Sequence, residues 1–179
     1  SIISIAATSG SRKSSPPAAR ASNGCAVAGE ALLRLRAEDA DDLAVISAVM
    51  QDALVSVKDL TYDRAMRRFM LVANRFRWEV RPDGKSHDAN ATAFERTLCA
   101  ISFGAVDGAS YRGFRRRDDE RILSLLAIRS GDKTGTIDLE FSGGATLRLG
   151  VSAIQVHATD IGEAWPTVWQ PDHSASDSP

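Results

Sequence analysis

From Val55 onward the apolar side chains recur at alternate positions in one short run after another, and no helical crossover pattern follows residue 54. A period of two belongs to strands with one dry and one wet face, so this part of the chain is committed to sheet. Val55 and Val57 alternate with Ser56 and Lys58 towards Leu60 and Tyr62. Residues 68–80 read as one long strand, with Met70, Val72, Phe76, Trp78 and Val80 on the dry face and Arg75, Arg77 and Glu79 on the wet one. Pro82, Asp83 and Gly84 end it and residues 85–92 read as a polar loop; strands follow over 97–106 and 121–129, with residues 131–135 as a hairpin loop. Ile137, Leu139 and Phe141 then pair across Gly143 and Gly144 with Leu147, Leu149 and Val151, and Ile154, Val156 and Ala158 close the series.

Only the segment before residue 54 departs from that period. Leu33 and Leu35 alternate with Arg34 and Arg36 in a short strand over 32–36. Asp39 then stands at an N-cap position, Asp41 and Asp42 in a first turn, and Leu43, Ile46, Val49, Met50 and Ala53 follow at helical spacing. The acids complement the positive end of the helix dipole, which accounts for the run 38–42 without a metal. Parallel strands would need helical crossovers, and none is written after residue 54. The expected fold is therefore α+β: one N-terminal helix against a curled, mainly antiparallel meander sheet of six to eight strands, a partial barrel filled with hydrocarbon.

Composition divides the 179 residues into a core segment and two polar ends. Residues 1–29 are Ser-rich and Arg-containing without a single acid, and are expected to be a disordered leader; a transit peptide and an over-extended reading frame are the alternatives. Residues 171–179 have the same polar character, leaving 30–170 as a single α+β domain. The chain carries 22 basic and 23 acidic residues, but beyond residue 29 there are 19 bases against 23 acids. A mildly acidic body argues against general affinity for phosphate backbones. No apolar run approaches a membrane span. Cys25 and Cys99 make a poor disulfide framework, which suits a reducing, cytoplasmic setting.

Chemical signatures are scarce. His87, His157 and His173 share no ligand spacing, and there is no Cys-x-x-Cys. No Gly-x-Ser-x-Gly elbow occurs, and Cys99 falls in an alternating strand with Ile101 and Phe103 as a small core residue. Gly10 to Ser14 lacks the first glycine of a phosphate loop. No catalytic, cofactor-binding or metal-binding residue is assigned, and no cofactor is expected.

Two features stand above this background, an arginine-rich strand face and an aromatic end, and Asn74 is out of pattern besides. Arg64, Arg67, Arg68, Arg75 and Arg77, with Phe69 in the register of Arg75 and Arg77, could form a base-stacking, phosphate-pairing strand face, or a solvated face paired with acids such as Asp59, Asp138 and Glu140. Arg115 to Arg117 are balanced at once by Asp118, Asp119 and Glu120. Trp165 and Trp169 bracket Pro166, as a partner-binding segment or as a cap over an open sheet end. Asn74 interrupts the dry face and must find hydrogen-bond partners there. Asn74, Arg75, Arg77, Trp165 and Trp169 are thus the candidate ligand or partner contacts. The leading expectation is a non-enzymatic binding or adaptor domain with a protein partner. The alternatives are a small-ligand carrier or enzyme using the concave side near Tyr62, Asn74 and Trp78, and single-stranded nucleic-acid binding through the Arg75/Arg77 face.

Several stretches together carry a family resemblance. They are 42–48 (Asp-Leu-Ala-Val-Ile-Ser-Ala) with 51–53, 67–69 with 74–79 (Asn-Arg-Phe-Arg-Trp-Glu), 123–129, and 141–149 (Phe-Ser-Gly-Gly-Ala-Thr-Leu-Arg-Leu). With Asp160, Ile161, Gly162 and Trp165, they resemble an uncharacterised bacterial domain-of-unknown-function family over residues 32–166. The resemblance implies a cytoplasmic, single-domain bacterial protein. It brings no activity and no site residue with it.

Overall fold

The computed structural model describes residues 32–79, 94–118 and 120–167. The expected leader and tail, the polar loop at 85–92, Trp169, Cys25, His87 and His173 lie outside those residues. β1 (Arg34–Ala37) leads into α1 (Ala40–Val49). The Asp39 carboxylate accepts from the backbone N–H of Asp42 at 2.9 Å, so the helix starts at the expected cap. It ends at Val49 with Met50 as C-cap, and two residues further on Asp52 adopts a left-handed backbone (φ 59°), a conformation that short acidic residues tolerate. The Asp52 N–H donates to the Leu125 carbonyl at 2.8 Å, which ties the helix exit to the sheet.

The strands that follow are β2 (Leu54–Ser56), β3 (Thr61–Asp63), β4 (Arg68–Phe76), β5 (Phe94–Phe103), β6 (Val106–Arg112) and β7 (Ile122–Ser130). β8 (Thr136–Phe141), β9 (Thr146–Val151), β10 (Val156–Asp160) and β11 (Trp165–Thr167) complete the set. All pairings are antiparallel, in the order β1-β10-β5-β4-β2-β7-β8-β9-β6, with β3 on β4 and β11 on β5. The α+β class and the antiparallel sheet are as read from the sequence. The count and the curl are not. Among the described residues eleven strands replace the expected six to eight, and the sheet is open, with β1 and β6 at the ends of its order instead of a partial barrel.

Local causes explain the extra strands. Val57 and Leu60, both buried, are spaced by three, the period of a single 3-10 turn, and Leu60 N–H donates back to the Val57 carbonyl at 3.2 Å. That turn divides the expected strand at 55–62 into β2 and β3. β6 has almost no alternation of its own in Asp107-Gly108-Ala109-Ser110; register with β9 makes it a strand. β11 contains Pro166 and is an edge strand, where a missing N–H is tolerated.

A single hydrophobic cluster joins Leu43 and Ile46 of α1 with Leu71 and Ile101 on one side of the strand order and Leu139 and Leu147 on the other. Deep burial of such side chains contributes about 1.5–3 kcal/mol each and is the main source of stability. Along residues 68–75 the face of β4 is the reverse of the one expected, while Phe76 is buried as expected. Phe69, Leu71, Ala73 and Arg75 point inward, while Met70, Val72 and Asn74 point outward. Both faces of this strand are largely apolar, so alternation alone does not choose. Phe69 is opposite Phe103, and the two rings pack edge to face at 6.5 Å, which fixes the inward set.

Candidate binding surface

Seven of the ten residues of α1 are apolar, although the sheet needs only one side of it. Leu43 and Ile46 are buried against the core, and the Ser47 hydroxyl accepts from Ile128 N–H at 2.8 Å, which pins that side to β7. Ala44, Val45 and Ala48 are left facing solvent, Val45 at 42 % exposure. A surface helix normally carries charge on that side. At the C-terminal end of this apolar side a cavity of about 500 Å³ opens between Ala48, Val49, Gln51, Trp78 and Glu79. Trp78 is 40 % exposed and stacks on Phe76 with ring centroids 5.1 Å apart.

Phe76 itself is buried, and the exposed outer face of the sheet begins beyond it. Phe76 lies opposite Arg96, whose guanidinium sits 3.9 Å from the Phe76 ring centroid and donates to the Asn74 carbonyl at 3.1 Å. Burial pushes the Arg96 guanidinium below its usual range, partly offset by the charge of Asp52. The next cross-strand row is Leu54, Asn74 and Leu98, with both leucines more than a third exposed. The Asn74 side-chain oxygen is buried there without a hydrogen-bond partner, alone in that respect among the described residues. Asn74 and Trp78 therefore belong to this outer surface. The concave site imagined from Tyr62, Asn74 and Trp78 does not assemble: Tyr62 instead lines a separate hollow with Arg64, Arg67 and Asp107.

Arg75 corrects the expected arginine face. It is fully buried, and all five of its N–H donors are occupied. Nε and Nη2 donate to Asp160 at 2.9 and 2.7 Å, Nη1 and Nη2 donate to Glu79 at 3.2 and 2.8 Å, and Nη1 also donates to the Phe76 carbonyl at 2.9 Å. Burial by itself would weaken this charge. The hydrogen bonds that it donates to Asp160 and Glu79, with their charges, outweigh that and hold the guanidinium well above its ordinary pKa. Burial likewise pushes the Glu79 carboxyl up, and the Arg75 hydrogen bond and charge more than reverse that, leaving Glu79 below its ordinary range. Such a saturated guanidinium has no donor left for a phosphate.

Arg64, Arg67 and Arg77 are engaged as well, whereas Arg68 stays exposed. Arg77 donates to Glu95 at 2.6 Å with its side chain almost covered, Arg67 pairs with Asp107 at 2.5 Å, and Arg64 lies over the Tyr62 ring. Phe69, expected among them at the surface, is in the core. Asp138, expected to serve these arginines, pairs with Arg148 instead at 2.6 Å. Beside the Arg75 and Asp160 pair, a cleft of about 400 Å³ is lined by Leu32, Arg77, Thr97, Asp160, Ile161 and Glu163 among others. Trp165 lies opposite Arg96 on β11 and is half-buried. Cys99 is buried as expected, and burial, with the nearby Asp160 charge, pushes its thiol up to about 12.

Sequence reasoning singled out Asn74 but passed over Ala44, Val45 and Ala48. The signal was present: a helix apolar on more sides than one packing contact requires. Among the described residues no group of three or more His, Cys, Asp or Glu could hold a metal, and no helix is long and apolar enough to cross a membrane.

Fold and surface together define a mainly antiparallel α+β protein with an uncovered apolar face on its described helix. A family model described as "Protein of unknown function (DUF2948)" matches residues 33–173, and the chain belongs to that family. No curated protein and no solved structure matches the chain.

Proposed function

We propose that the chain is a non-enzymatic, cytoplasmic bacterial adaptor, a single domain over residues 30–170, that binds a protein partner through the apolar side of α1 and the adjoining Trp78 cavity. The observation that carries this reading is Val45, flanked by Ala44 and Ala48, uncovered beside an apolar cavity on an otherwise well-packed helix. Contiguous apolar surface of this kind is characteristic of interaction sites, because leaving it in water costs free energy that a partner recovers. The outer row of Leu54, Asn74 and Leu98 adds exposed apolar surface, and Trp165 lies in the neighbouring row, opposite Arg96. The acidic body and the two cysteines support the cytoplasmic setting.

A photo-crosslinking amino acid placed at Val45 of the full chain in its native host tests the reading. A discrete protein adduct is expected from position 45 and none from the exposed hairpin position of Lys133. Equal labelling from both positions, or none from position 45, would overturn it.

A further inference from the structure

The same surface has a marked charge asymmetry, and it specifies the chemistry of the partner. No lysine or arginine occurs between Arg36 and Lys58, while Glu38, Asp39, Asp41, Asp42 and Asp52 fall in that interval. Around the N-terminus of α1, Asp39 is spent on capping, the Asp42 carboxylate accepts from Glu38 N–H, and Glu38 pairs with Arg36. Asp41 is exposed and makes no hydrogen bond or ion pair among the described residues. The apolar cavity lies at the other end of the same helix, beside Ala48 and Val49. From Asp41 to Ala48 is seven residues, about 10 Å at a rise of 1.5 Å per residue.

We infer that the partner is a basic amphipathic segment: a bulky apolar side chain fills the Trp78 cavity while an arginine or lysine about two helical turns away meets Asp41. This rests on the reading of α1 as the binding face. Charge complementarity selects against acidic segments, because a carboxylate brought against Asp41 would meet like charge with no cation on the helix to relieve it. A second copy of the chain is disfavoured on the same ground, since its α1 would bring the same acids.

Two synthetic helical peptides provide the test, one with a leucine and phenylalanine stripe backed by arginines, the other with glutamates in their place. Each is titrated into the ¹⁵N-labelled full chain, and amide shifts are followed at Ala44, Val45 and Ala48. The arginine peptide is expected to bind about tenfold tighter or better at low salt and to lose that preference in about 1 M NaCl. Asp41→Lys is expected to shift the preference towards the glutamate peptide. If both peptides bind this face equally, the charge inference fails while the binding face stands. A tighter glutamate peptide has the same meaning. Should neither peptide move these amides, the inference and the binding face both fail. If the shifts appear with rising protein concentration alone, alongside a dimer in light scattering, the occupant is a second copy and the inference is overturned.

Discussion

Removing the Asp160 carboxylate should cost more stability than removing any other single charge described above. Asp160 is 4 % exposed and takes two charge-assisted hydrogen bonds from Arg75, at 2.9 and 2.7 Å, and one from Leu33 N–H at 3.1 Å. In Asp160→Ala the guanidinium stays buried with two of its five donors unmet, and Leu33 N–H loses its acceptor while its carbonyl keeps the residue-160 backbone N–H. Breaking a buried pair from one side costs about 3–5 kcal/mol. Against a domain stability of about 5–15 kcal/mol, that is a third or more in most cases. Glu79 also pairs with Arg75, but its side chain is 46 % exposed, so Glu79→Ala should cost about 1 kcal/mol or less. Urea unfolding followed by circular dichroism at neutral pH measures both through the midpoint at constant slope. The double change Arg75→Met/Asp160→Leu replaces the pair by apolar groups and should recover most of the loss, to within about 2 kcal/mol of the parent. A cost below about 1 kcal/mol for Asp160→Ala, or a double variant as unstable as the single one, would refute the view of this pair as a closed, mutually dependent unit.

Other outcomes follow from the same geometry. Asn74→Leu removes the unpartnered buried oxygen and should raise stability by about 1 kcal/mol in the same assay; a loss of that size would show that the amide has a partner after all. Glu79 has its pKa depressed in the folded state, so its contribution is present at neutral pH and fades as pH falls through that lowered value, below the ordinary 4.5. Glu79→Gln should therefore flatten that part of the acid limb of stability against pH, and an unchanged limb would contradict it. In a Cys25→Ser background the Cys99 thiol, pushed up to about 12, should resist a disulfide reagent at about pH 8 until the protein unfolds; rapid labelling of the native protein would contradict its burial.

The helix cap, the antiparallel sheet and the core role of Cys99 were legible in the chain, because caps and two-residue periods are local physics that neighbours in sequence supply. Asp39 and the alternation of Leu147, Leu149 and Val151 need no distant partner to be read. Three things required the tertiary structure. The inward face of β4 was undecidable from a strand apolar on both sides, and the Phe69 to Phe103 register chose it. Arg75, a solvent residue by type, is buried because Asp160 meets it from 85 positions away. Last, the excess of apolar residues on α1 is written in the sequence, but which of them stay uncovered is decided only by the side that packs. Sequence determines which residues prefer to leave water. Which of them succeed depends on how many faces the neighbouring elements cover, and that is a property of the assembled fold.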